Sequence, residues 1–353
     1  MPDTEKGAGQ GERILYYDLL RVAASFAVMI IHVAARGWYC DMGTAQWHIV
    51  NLYDGCGRWC VPVFVMISGA LFLRRPPDLK TLYKKHILHM ATAFAAWSFL
   101  YAALEYIRGS RLKDCLVAFL CGHYHLWFLY MIAGLYMIVP LLHRMAENEA
   151  LTRYYLLLAL IFGFALPQIW GLLSLGGSEA GTYIQTAVEQ MNFHFVLGYP
   201  AYFLLGYYLA TRNISNKTTR IICCLGGVGL LATVAGTELI SRAAGSGSTM
   251  LYQDTTVNVM LMAAAVFVLF QQLFSGIELG KRSREVLFAL SKYSFGAYLI
   301  HPLIIEALER AGLTVSSFFP LLSIPVISIT VFVISYSISG ILHRIPVFNK
   351  YVV

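Results

Sequence analysis

Charge is what this sequence is short of. Among its 353 residues only 13% are Asp, Glu, Lys or Arg, about half the share of an ordinary soluble domain. So few polar side chains cannot cover the surface of a compact soluble fold, which excludes a cytosolic enzyme. Intrinsic disorder is excluded as well, because it requires low hydrophobicity and high charge. The seven cysteines are too few for a disulfide scaffold. Several functional signatures are also missing: a glycine-rich phosphate loop, a Walker sequence, a Gly-x-Ser-x-Gly elbow, zinc-finger spacing, an RNA-binding signature and an arginine-rich tail. Nucleic acid is therefore not an expected partner, although the net charge is +7.

Apolar residues make up 58% of the chain, and mean hydropathy is +0.63. Such a chain reads as an all-α polytopic membrane bundle. A crossing takes about 20 mostly apolar residues. Ten stretches qualify, at roughly 19–35, 58–73, 87–107, 125–142, 154–173, 193–211, 220–240, 255–274, 293–310 and 318–342. The segment 114–121 is too short to cross and reads as an interfacial or re-entrant piece. Residues 1–13 read as a disordered cytoplasmic tail, and 14–353 as one transmembrane domain.

Basic residues set the orientation, since Lys and Arg concentrate in cytoplasmic loops. Arg74, Arg75, Lys80, Lys84 and Lys85 follow the second span, Arg212, Lys217 and Arg220 the sixth, and Lys281, Arg282, Arg284 and Lys292 the eighth. Both termini are then cytoplasmic, with 36–57, 108–124, 174–192, 241–254 and 311–317 outside. Only 108–124, with Arg108, Arg111 and Lys113, runs against the rule. Five cysteines, Cys40, Cys56, Cys60, Cys115 and Cys121, fall in or beside outer loops. An odd number with no readable pairing favours unpaired packing residues. Cys56 and Cys60 have no second pair at zinc spacing.

Ionisable groups inside a membrane are costly and mark functional positions by default. The first span contains Asp18-Leu-Leu-Arg21, ten more residues, then His32. Eleven helical steps rise about 16 Å and turn through about 1100°, so Arg21 and His32 share one face about half a bilayer core apart. Asp18 lies at i−3 from Arg21, within reach of an ion pair. The alternative is a snorkelling arginine with a histidine at the outer interface.

Four motifs in order resemble those of the integral-membrane acyltransferase-3 family. They are Asp18-Leu-Leu-Arg21-x10-His32, Val61-Pro-Val-Phe-Val-Met-Ile-Ser68-Gly69-Ala-Leu-Phe, His125-Leu-Trp127-Phe-Leu, and Leu290-Ser291-Lys292-Tyr-Ser-Phe-Gly-Ala-Tyr298-Leu-Ile-His301-Pro302. Together they cover nearly the whole chain. Ala70 stands where an aromatic residue is common. Among relatives the sequence looks most like single-domain O-acetyltransferases of surface polysaccharides, of the enterobacterial-common-antigen type.

The resemblance implies a multi-pass protein of the bacterial cytoplasmic membrane. It would move an acetyl or other acyl group from cytoplasmic acetyl-CoA to a hydroxyl of a surface glycan or lipid-linked sugar at the outer face. Arg21 would meet the CoA phosphates, which need Arg or Lys, with Arg74, Arg75, Lys84, Lys85 and His86 on the same side. His32 would serve as the base for the acceptor hydroxyl, or would carry the acyl group itself. Ser68, His125, Trp127, Tyr298 and His301 are candidates for the acyl-CoA pocket. Ser68-Gly69 also reads as a close-packing pair, and His301 as a buried histidine at a proline kink. Glu105 would orient His32 or bind acceptor, with Glu306 as a second option. His123 and His125 lack a third ligand, so no metal is expected. Membrane lipids are expected neighbours, and a homo-oligomer is left open. The rival class is a transporter or exporter of a small solute or polysaccharide, as in serine-uptake-like membrane modules.

Overall fold

A computed structural model describes residues 13–175 and 179–353, all helices and connections with no strand among the described residues. Residues 1–12, most of the expected tail, lie outside the described residues. The helices are α1 Leu15–Ala35, α2 Ala45–Gly57, α3 Cys60–Phe72, α4 Leu79–Ile107, α5 Leu112–Cys121, α6 Trp127–Ala146, α7 Glu149–Ser174, α8 Glu179–Gln190 and α9 Phe193–Leu197. They continue with α10 Tyr199–Thr211, α11 Asn216–Ala244, α12 Val257–Phe274, α13 Lys281–Arg310, α14 Pro320–Leu342 and α15 Pro346–Tyr351. Among the described residues, eight helical runs are long and apolar enough to cross a membrane by length and composition. The other two expected spans are helical as well. One is broken at Gly198, between α9 and α10; the other is α13, which carries Lys292, His301, Pro302 and Glu306 along its length.

The second span differs from its expectation. Residues 45–57, taken from sequence as part of an outer loop, form α2, which continues almost directly into α3. Asn51, Asp54 and two glycines make α2 look like a loop, yet Asn51 and Asp54 are buried and partnered. Asn51 Nδ2 donates to the Val234 carbonyl at 3.0 Å, Tyr252 donates its hydroxyl to Asn51, and Arg58 pairs with Asp54. Burying polar groups is tolerated when each finds a partner.

α1 forms the spine of the bundle, packed against α2, α3, α12, α13 and α14. α3 and α10 cross in direct backbone contact. A Cβ on Gly69 would lie 1.8 Å from the Phe203 carbonyl oxygen, and one on Gly206 would lie 2.0 Å from that of Met66. Such a crossing requires glycine on both sides and brings α3 close enough to help wall the interior. α5 lies with Leu112, Leu116, Val117 and Leu120 exposed, as an interfacial piece would. α7 widens into a π-helical stretch at Ala159–Ala165 ahead of Pro167. A proline lacks the N–H and crowds the carbonyl four residues back, which a wider turn relieves. All seven cysteines are free thiols.

Candidate active site

Arg21, Val28 and His32 project from one face of α1 and line two cavities placed one after the other along the helix. The first, of about 330 Å³, is bordered by Arg21, Ser68, Tyr136, His89, Lys292 and His343. The second, of about 130 Å³, holds His32, His125, Trp127, Arg58, Cys60 and Asp254. Val28, Val61, Phe128 and Tyr298 border both, so they form the wall between the two spaces.

At the Arg21 end the expected Asp18–Arg21 ion pair forms, but Asp18 is shared with a nearer partner, Arg13. Asp18, 2% exposed, takes both arms of Arg13, Nε at 2.8 Å and Nη2 at 2.9 Å, and a hydrogen bond from Ser291. Arg21 Nη1 stands 3.7 Å from the same carboxylate and donates to Ser291 Oγ at 3.1 Å. With Asp18 already satisfied, the Arg21 guanidinium keeps donors free for the cavity it lines, and a guanidinium suits phosphate.

At the other end a chain of hydrogen bonds assigns the protons. Pro302 has no N–H, so the Tyr298 carbonyl, four residues back in α13, loses its helical donor. His301 Nδ1 bonds that carbonyl instead. A carbonyl only accepts, so His301 carries its proton on Nδ1, and its Nε2 is an acceptor. His301 Nε2 lies 2.9 Å from His32 Nδ1, which must then be the donor. His32 Nε2 is left with a lone pair, the state required of a general base. The Tyr124 hydroxyl stands 3.4 Å from His32 Nδ1, longer than an ordinary hydrogen bond.

The expected site residues thus divide into groups. Arg21, Ser68 and Tyr298 share the first cavity; His32, His125, Trp127 and Tyr298 share the second. Ser68 donates to the Phe64 carbonyl at 3.0 Å and sits beside the Gly69 crossing, which favours its packing role. His301, expected to bind the acyl donor, lines neither cavity; fully buried behind His32, it orients that ring. Glu105 does not orient His32. Arg108 takes it at 2.7 Å and bridges it to Glu306, also at 2.7 Å, and His301 occupies the orienting position instead. Arg74 and Arg75 border a separate polar cavity of about 760 Å³ with Arg13 and Arg284. Arg74 donates to the Tyr17 hydroxyl at 3.0 Å. Lys84 and Lys85 are exposed on α4 and line neither of the two cavities.

Sequence reasoning missed Arg58, Asp254 and Lys292 as cavity residues. Arg58 pairs with Asp54 across i,i+4 and lies 4.1 Å over the Tyr252 ring. A ring stack joins His123 to Tyr101, with centroids 4.1 Å apart, and His123 Nδ1 meets His125 Nδ1 at 3.0 Å. His123 Nε2 stands 3.7 Å from Glu306. Burial holds the His123 imidazole below its ordinary value of 6.5, against the opposing pull of Glu306 and Glu105.

No curated protein and no solved structure matches the chain. The sequence model of the acyltransferase-3 family, described as an acyltransferase domain, matches residues 14–340. That stretch contains Arg21, His32 and His301 together with both cavities' shared wall, and on this match the chain belongs to the acyltransferase-3 family and is a membrane acyltransferase.

Proposed function

We propose that the protein transfers an acetyl or similar acyl group from acyl-CoA to a hydroxyl of a surface glycan or lipid-linked sugar, across the bacterial cytoplasmic membrane. One observation carries this reading: the Arg21 cavity and the His32 cavity meet at a single wall along one face of α1. Acyl-CoA enters from the cytoplasmic side, where both termini lie, and its phosphates meet Arg21 and Lys292. Its pantetheine arm runs along α1 toward Val28 and Tyr298, which brings the thioester within reach of His32. The acceptor approaches from the outer side.

The reaction then balances as a direct transfer. His32 Nε2 removes the proton of the acceptor hydroxyl as the oxygen attacks the thioester carbonyl. The carbon–sulfur bond breaks, and CoA leaves as the thiol with the proton His32 had taken. Positive charge that builds on His32 is shared through its Nδ1–H with His301. Transfer of [¹⁴C]acetyl from acetyl-CoA to membrane glycans by vesicles containing the wild-type protein, and its loss in His32→Ala vesicles, is the expected result. A His32→Ala protein that acetylates at the wild-type rate overturns the mechanism.

A further inference from the structure

The His32 cavity has three polar features that proton removal does not use. Asp254 accepts a hydrogen bond on Oδ2 from Tyr199 at 2.7 Å, and its Oδ1 takes no donor among the described residues. Arg58 lines the same cavity; its Nε is buried without a hydrogen bond. Trp127 is 41% exposed and also lines the cavity, its ring 5.9 Å from that of Tyr199. A carboxylate, a guanidinium and an indole thus line the space beside the base.

We infer that Asp254, Arg58 and Trp127 form the acceptor subsite, and that it selects an uncharged sugar ring over an acidic one. The inference rests on the transferase reading above. Vicinal hydroxyls of a sugar both donate and accept, so one ring can donate to Asp254 and accept from Arg58 at once. Its C–H face packs on Trp127. An acceptor carboxylate would meet Asp254, a like-charge contact in a confined space, which is strongly unfavourable. Arg58 is already neutralised by Asp54, so it offers donors without excess positive charge. At about 130 Å³ the cavity is smaller than the roughly 300–1,000 Å³ of typical small-molecule sites. It therefore receives the reacting ring of an acceptor and not a whole glycan.

Purified protein in nanodiscs with acetyl-CoA as donor, and octyl glucoside or octyl glucuronide as acceptor, tests this. Wild type acetylates the glucoside with a lower KM than the glucuronide. Asp254→Asn, which keeps a partner for Tyr199, and Trp127→Ala at an exposed position each raise the glucoside KM by about tenfold or more, the cost of an unmade charged hydrogen bond or a lost ring contact. Their KM for acetyl-CoA stays at the wild-type value. An unchanged glucoside KM in Asp254→Asn, a preference for the glucuronide, or acetyl-CoA binding with no acetylation of either glycoside overturns the subsite. If the wild-type protein neither binds nor consumes acetyl-CoA, the transferase reading itself falls, which separates that failure from the others.

Discussion

His301 touches neither cavity, so any catalytic effect it has must pass through His32, and replacing it tests the proton assignment directly. In His301→Ala the His32 Nδ1–H loses its acceptor at 2.9 Å on the side where the fully buried His301 had stood. An unmade hydrogen bond of a buried donor costs about 1–3 kcal/mol. At 1.36 kcal/mol per tenfold in rate, that is a loss of roughly five- to 150-fold if the cost falls on the transition state. It falls there because the developing imidazolium is when the Nδ1–H bond strengthens most. The alternative tautomer, with the proton on Nε2, also becomes accessible and has no lone pair facing the acceptor. His301→Gln offers an amide oxygen to His32 and an amide N–H to the Tyr298 carbonyl, so it should recover most of the loss. The assay is the steady-state rate of acetyl transfer from acetyl-CoA. A fall in kcat with an unchanged acetyl-CoA KM is expected in the alanine variant. Wild-type turnover in His301→Ala would refute the reasoning, and so would a glutamine variant as slow as the alanine one.

Three further outcomes follow from the same geometry. Arg21→Ala should raise the KM for acetyl-CoA by about 10- to 100-fold, the range of a charged hydrogen bond, and Arg21→Lys should recover only part, because a lysine cannot make the planar two-donor contact. An unchanged KM in Arg21→Ala removes it from the donor site. Gly69→Ala should destabilise the protein by roughly 4 kcal/mol or more, since the new Cβ meets backbone and not a movable side chain. Gly134→Ala on α6, where nothing lies within 4 Å, should be neutral or stabilising by about 0.5–1 kcal/mol; thermal unfolding in detergent compares the two. His123 concerns pH. Its native imidazole sits below the unfolded value of 6.5, so the unfolded chain binds more protons and stability is lost as pH falls below about 6.5. Between about pH 7.5 and about pH 5 the wild type should lose more Tm than His123→Gln, and equal losses would contradict the assignment.

The large features were legible because membrane physics writes them plainly. Ten apolar stretches are visible to the eye, and the structure makes each of them helical. The Arg21–His32 face follows from helical periodicity alone, and the cavities lie along it. The α2 segment was not legible, because its signal was contrary. A run holding Asn51, Asp54 and two glycines reads as a loop unless its partners are known, and they come from elements far along the chain, Val234 and Tyr252. The Asp54-x-x-x-Arg58 spacing was the available clue, since an i,i+4 ion pair is a helix signal.

Glu105 shows a different limit. Sequence places it at the outer end of a span, near His32 in depth, but depth does not say which way a side chain turns. Arg108, three residues on, meets it on its own helix and carries it toward Glu306 instead. His301 was half legible. His-Pro in a span signals a kink, and the missing N–H of Pro302 frees the Tyr298 carbonyl in any helix. That much could have been written from sequence. What could not is that the freed carbonyl is taken by the imidazole one residue before the proline, and that the ring's other nitrogen then reaches across to α1. The proline is therefore more than a bend. By removing one backbone donor it fixes the tautomer of His301, and through it the face of His32 that is left free to take a proton.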